Sequence, residues 1–150
     1  MPKPTTVSTT EVLAQGAVLE VSFDDGTTYD LLPGLEKIPR IGTEGAFVEM
    51  TSIDELVKRF GKGTRNPPEW ELPCKRIGNN VVQDNLIARA VDDENEDPVK
   101  FRATYRTGDI VEADVILNGF YMDEAAQGDT PQLFAVKGQQ TGDIVTSKVV

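Results

Sequence analysis

The sequence predicts a mainly β protein, an antiparallel β-sandwich or partial barrel flanked by an α-helix. Three observations lead there. Seven or eight short stretches alternate apolar and polar residues, Gly, Pro and Asn turn signals separate them, and no internal repeat or regular β-α-β alternation runs through the 150 residues. The length suits a single domain, and a hydrophobic share of 39% supplies one core. The domain is expected over 17–150, after a flexible N-terminal arm, 1–16, whose Pro, Thr and Ser residues show no periodicity.

Ala17 to Phe23 alternates, with Leu19, Val21 and Phe23 on one face. Thr27 to Leu32 returns after Asp24-Asp25-Gly26. A three-residue loop with Gly26 left-handed sets Val21 opposite Tyr29 and Leu19 opposite Leu31; a two-residue loop would set Val21 against Asp30, a poorer match of faces. Residues 33–45 hold Pro33, Gly34, Pro39, Gly42 and Gly45 and read as loop. Ala46 to Thr51 alternates again. Ser52 and Glu55 have capping-box spacing, and Ile53, Leu56, Val57 and Phe60 follow at i, i+3, i+4 and i+7, which predicts a short helix ended by Gly61. Gly61 to Glu69 reads as an exposed loop. Its Gly-Lys-Gly-Thr is no phosphate-binding loop, because Val57 stands where the first glycine belongs.

Trp70 to Ile77 is a strand, and Asn80 caps a second helix with Gln83 at the reciprocal position. Val82, Leu86, Ala90, Ile87 and Val91 form its buried face; Asp84, Asn85 and Arg89 face away. The acidic run Asp92 to Asp97 opposes the helix macrodipole and reads as a solvated loop. As a calcium loop it fails at Asp97, where glycine is needed. Val99 to Tyr105 and Ile110 to Leu117 form a hairpin about Thr107-Gly108-Asp109. That register pairs Phe101 with Val115, Ala103 with Ala113 and Tyr105 with Val111; on the other face Arg102 meets Asp114 and Thr104 meets Glu112. Asn118-Gly119 predicts a tight turn before Phe120-Tyr121-Met122. Gln132 to Lys137 and Ile144 to Val150 predict a last hairpin around Gly138 to Gly142.

Composition removes much chemistry. There is no His, so Ser-His-Asp and Cys-His catalysis and His-ligated metals are excluded. The single Cys74 allows neither an internal disulfide nor a thiolate cluster, and suits a reducing compartment. No apolar run marks a signal peptide or approaches a membrane span. Fifteen Lys and Arg against twenty-five Asp and Glu leave a net charge of −10, which argues against a nucleic-acid-binding surface. A carboxylate pair is the remaining enzymatic option, but twenty-five acids make pairs by chance and no acid/base constellation stands out. No enzyme, cofactor or metal is expected.

The order of the pieces carries a resemblance. Ile38-Pro39-Arg40-Ile41-Gly42-Thr43-Glu44-Gly45-Ala46-Phe47-Val48-Glu49-Met50-Thr51-Ser52-Ile53-Asp54 precedes a short helix and a Gly/Pro loop. Trp70-Glu71-Leu72, a helix, Lys100-Phe101-Arg102-Ala103, an acidic strand, Asn118-Gly119 and Leu133-Phe134-Ala135-Val136 follow. In order and spacing, residues 17–145 resemble the tail tube (major tail) proteins of long, flexible-tailed bacteriophages. The fold is also similar to tube subunits of contractile secretion systems. A monomeric β-sandwich ligand-binding module stays open as an alternative, although Trp70 is the only tryptophan.

The resemblance implies a structural subunit of the virion tail, assembled in the host cytoplasm. Hexameric rings would close one β-barrel and stack into a tube around a tape-measure protein, with tail terminator and tail-tip proteins at its ends. DNA would pass through the bore without specific binding, and no membrane is involved. An acidic wall fits a conduit, since it offers phosphates no favourable counterion exchange. Screening over ~8 Å confines that effect to the wall. The outward acids Glu49, Glu112 and Asp114 are the candidate lumen residues. Lys62 and Arg65, with Lys58 and Arg59, are candidates to meet Asp92, Asp93, Glu94 and Glu96 of a neighbouring subunit. For both sets the alternative is ordinary solvent-facing charge.

Overall fold

The computed structural model describes residues 16–149, so the arm expected over 1–16 lies, save Gly16, outside the described residues. Eight strands and one helix follow in the order β1 (Val18–Ser22), β2 (Asp30–Leu31), β3 (Glu44–Glu49), β4 (Phe60–Asn66), β5 (Glu69–Lys75), α1 (Val81–Val91), β6 (Val99–Thr104), β7 (Asp109–Met122) and β8 (Leu133–Lys148). Six strands form one antiparallel sheet, ordered β2-β1-β6-β7-β8-β5, that curls into a half-barrel; β3 and β4 form a separate hairpin. The partial-barrel expectation holds. Alternation along β1, β5, β6 and β7 turns Leu19, Val21, Trp70, Leu72, Val99, Phe101, Val115 and Leu117 inward, where Leu86 and Ala90 of α1 close the core. No helix among the described residues is long and apolar enough to cross a membrane.

The curl comes from β7 and β8, which are far longer than expected. Asn118-Gly119 is not a turn: β7 runs through it, and the ladder to β8 shifts register between Leu117 and Phe120, with Gly119 at φ 124°. A second shift lies between Glu112 and Asp114. These bulges bend the strands without ending them. The last hairpin is also absent. β8 passes straight through Gly138, which lies between Trp70 of β5 and Leu117 of β7. A Cβ there would sit 2.6 Å from Val115 Cγ1 and 2.9 Å from the Ile116 carbonyl, so close strand packing requires glycine.

Two registers differ from expectation. In β6–β7, Phe101 faces Ala113, Ala103 faces Val111 and Arg102 faces Glu112, two residues from the expected pairing. An even shift keeps every side chain on its face, so hydrophobic matching does not distinguish the two. The turn decides: Gly108 N donates to Tyr105 O at 2.9 Å, with Gly108 at φ 94°. In β1–β2, Val21 faces Asp30. Gly26 is left-handed as expected, but the loop is wide: the Asp24 carboxylate accepts from Ser22 Oγ at 2.7 Å and Thr28 N at 2.8 Å. Tyr29 leaves the ladder and places its ring 4.0 Å from the Arg102 guanidinium.

Asn80 caps α1, accepting from Gln83 N at 3.0 Å. The Gln83 side chain does not reach back. It is fully buried, donating to the Pro33 and Lys75 carbonyls (2.9 and 2.8 Å) and accepting from Ile77 N at 2.9 Å. Gln83, Leu86 and Ala90 form the buried stripe, while Val91 is exposed. The helix expected from Ser52 to Phe60 is absent; those residues connect β3 to β4, and Gly61–Asn66 is strand instead of loop. A helix of two turns is marginal without a surface to pack on, and here none covers Ile53, Leu56 or Val57.

Gly138→Ala is expected to destabilise the fold by about 2 kcal/mol through overpacking against Val115 and the Ile116 carbonyl. Urea denaturation followed by Trp70 fluorescence measures it.

Candidate assembly surface

The β3–β4 hairpin stands on its own, paired from Glu44 opposite Asn66 to Glu49 opposite Phe60. Buried Gln140 secures its base, accepting from Gly42 N (3.3 Å) and donating to Gly42 O (3.0 Å). Arg65 pairs with Asp143, and Gln139 Nε2 donates to the Pro67 and Pro68 carbonyls at 3.0 and 3.1 Å. Arg59 orders the far end: its N–H donates to Thr51 Oγ1 at 2.8 Å, and its guanidinium makes two 2.7 Å bonds to the Glu55 carboxylate. Between these anchors the side chains are not covered. Ile53 (105% exposed), Leu56 (102%) and Val57 (77%) stand in solvent, joined by exposed Phe47, Val48, Met50 and Phe60.

Monomeric proteins rarely expose a contiguous apolar patch beyond a few hundred Å². Here Phe47 and Phe60 are exposed on one face of the hairpin, Val48 and Met50 on the other, and Ile53, Leu56 and Val57 at its tip. Charge sets the hairpin apart too. Residues 44–66 carry four acids (Glu44, Glu49, Asp54, Glu55) and four bases (Lys58, Arg59, Lys62, Arg65), so the net charge of −10 lies entirely on the rest of the chain.

The second notable surface is the outward face of the six-stranded sheet. Lys100 Nζ lies 3.1 Å from Asp114 Oδ1, and Arg102 Nη2 lies 2.8 Å from Glu20 Oε2. These hydrogen bonds raise the pKa of both basic groups, the one to Asp114 acting on Lys100 and the one to Glu20 on Arg102. Burial, and then the charge of Glu112, raise that of the Tyr29 phenol. Asp114 therefore partners Lys100, not Arg102 as the expected register had it. On β5 and β8 the same face carries Glu69, Glu71 and Lys137. With Glu20, Glu112 and Asp114, and with Lys75 at the end of β5, that makes five carboxylates against four cations (Lys75, Lys100, Arg102, Lys137), a net of −1.

The structure separates the candidate residues. Glu112 and Asp114 share the sheet face, whereas Glu49 ends β3 on the hairpin. Lys62 is exposed opposite Phe47, and Arg65 is engaged by Asp143 of its own chain. Asp92 follows the end of α1 and accepts from Glu94 N at 3.0 Å; Asp93, Glu94 and Glu96 are exposed. Among the described residues no ion pair joins Lys62 or Arg65 to the 92–97 run, and no cluster of three metal-ligating side chains occurs. Sequence reasoning missed the apolar hairpin itself. Its signal was present in the Ile53–Phe60 periodicity, which reads as a core face until the structure leaves it uncovered.

No family model and no curated protein matches the sequence. The fold does match solved structures. A chain of the anti-feeding prophage baseplate, six-fold symmetrised, superposes with a TM-score of 0.71 at 8% identity, over 93% of this chain and 97% of that one. A chain of the PVC sheath-tube complex, from an extracellular contractile injection system, gives 0.67 at 7% identity, over 99% and 100%. The SPP1 tail tube gives 0.62 at 13% identity, over 93% and 81%. The chain thus has the fold of phage tail tubes and contractile injection system tubes.

Replacing Ile53 and Leu56 together by Ser is expected to leave the unfolding free energy of the monomer within about 0.5 kcal/mol, because neither side chain is covered. Cys74 is the opposite case. Burial, and then the charge of Glu36, push its thiol from 9.0 up to about 12. The native thiol is expected to resist Ellman's reagent at pH 8 and to react once the chain is unfolded. Because the folded pKa is the higher, stability should fall as pH rises from 9 towards about 12, as calorimetry across that window would measure.

Proposed function

We propose that this chain is a tail tube subunit: six copies close a ring, and rings stack into a hollow tube. The observation that carries the reading is the neutral, apolar hairpin projecting from an acidic half-barrel of tube-protein fold. Residues 34–36 already bond the Pro73–Lys75 end of β5, which leaves the short strand β2 and the Glu69–Leu72 end of β5 as the edges where the half-barrel can continue into a neighbour. A chain of the gene transfer agent tail, refined with C6 symmetry, shares the fold with a TM-score of 0.58 at 13% identity, over 89% of this chain and 95% of that one, which favours six as the ring number.

In this reading the outward sheet face, with Glu112 and Asp114, lines the bore, and Glu49 sits at its rim, on the hairpin that reaches a neighbouring copy. The face suits passage of DNA for a specific reason. Lys100 and Arg102 are already held by Asp114 and Glu20, so the wall offers phosphates few free cations and a slight excess of negative charge. Lys62 and the Asp92, Asp93, Glu94 and Glu96 run are then available between subunits. A tape-measure protein would occupy the bore during assembly in the host cytoplasm, with terminator and tip proteins closing the ends of the virion tail. The chain has no chemistry to perform and needs no cofactor. The contractile injection tube is the second reading, favoured by the higher TM-scores of those neighbours, and sheath binding separates the two.

Sedimentation velocity and negative-stain imaging over rising protein concentration test the proposal. Rings or tubes of about six copies per layer are expected. A chain that stays monomeric at high concentration, even with tail-initiation components present, would overturn it.

A further inference from the structure

The segment from Ser52 to Phe60 has two descriptions that do not agree. Its sequence has a capping box and an i, i+3, i+4, i+7 apolar stripe, yet it is non-helical and the stripe faces water. The beginnings of a helix are nonetheless in place. Glu55 N donates to Ser52 O at 3.0 Å, closing one turn, and the Glu55–Arg59 ion pair has the i,i+4 spacing and the Glu-before-Arg polarity that a helix favours. What is lacking is an apolar surface to lie on. The same chain carries one elsewhere: a groove of about 710 Å³ beside the edge strand β2, lined by Val18, Leu31, Leu32, Leu35, Ile38 and Tyr105.

We infer that Ser52–Phe60 is a recognition element that becomes helical as it docks in the β1–β2 groove of a second copy of this chain, giving up the Glu49–Phe60 pair and the bonds of Arg59 to Met50 and Thr51 that close the hairpin tip. The inference rests on the tube reading and names the partner of the hairpin. A second copy is the favoured occupant because the hairpin is net neutral while the body bears all of the −10 charge. Body against body is repelled, whereas hairpin against body is not. The two surfaces are also different patches, so the contact is head-to-tail and propagates from copy to copy, as a ring or a stack requires. Coupling helix formation to docking keeps the helix from forming where no neighbour is present.

Two variants on the solvent side of the stripe read the helix. Lys58→Gly should raise the concentration needed for assembly about fivefold relative to Lys58→Ala, the equivalent of the glycine–alanine difference in helix propensity. Both monomers should melt alike. In ¹³C-labelled assemblies the Cα shifts from Ile53 to Val57 should move to helical values. The groove is read by mixing Leu56→Cys protein with Leu31→Cys protein, with buried Cys74 left in place. A disulfide joining the two variants is expected only in the mixture and only on assembly. Equal assembly of the Lys58 pair with unmoved shifts overturns the helix, and Leu56→Cys linking chiefly to itself overturns the groove. In either case wild-type rings would leave the tube reading standing. A wild-type chain that never assembles removes both.

Discussion

Strands β7 and β8 pair with each other along nearly their whole length, and the two bulges in that ladder turn the sheet on itself. On one side of the bend they continue into β6 and β1; on the other, β8 continues into β5. The inner faces of both wings then converge, which lets Trp70 of one wing place its ring 5.2 Å from Phe101 of the other. A single helix suffices to close the remaining side, with Leu86 and Ala90 inward. The Trp70 indole N–H is buried without a partner among the described residues, a cost that ring packing must offset.

Buried amides anchor the parts outside the sheet. Gln83 ties the residues after β2, and the end of β5, to the start of α1, and Gln140 fastens the approach to the β3–β4 hairpin. Each amide satisfies backbone groups that would otherwise be buried without partners. The hairpin is therefore rigid at its base and ordered at its tip by Arg59, while its apolar side chains stay outside. A base fixed in this way sets where the contact is made, so only the Ser52–Phe60 tip is left to order when a partner covers it.

Charge and exposed apolar surface are placed to complement each other. An acidic body stays soluble and resists random association, and the one neutral projection can approach another body. The outward sheet face is polar and internally paired, with Lys100 held by Asp114 and Arg102 by Glu20. Half-buried pairs such as Arg102 with Glu20 add stacking on Tyr29, which makes them more than screened surface contacts.

Alternation along Ala17–Phe23, Trp70–Ile77, Val99–Tyr105 and Ile110–Leu117 was legible in the sequence, and so was the Asn80 cap, because period and capping are properties of a few neighbouring residues. The inward or outward facing of these strands was legible for the same reason. Registers were not: shifting β6 against β7 by two residues preserves every face, and only the Tyr105–Asp109 turn chooses. Nor was the fate of Asn118-Gly119 or Gly138, since glycine permits a turn, a bulge or close packing, and the neighbouring strand decides which. The Ile53–Phe60 stripe marks the limit most clearly. Local sequence determined that an apolar face would exist, but only the tertiary structure decided that nothing within one copy of the chain would cover it.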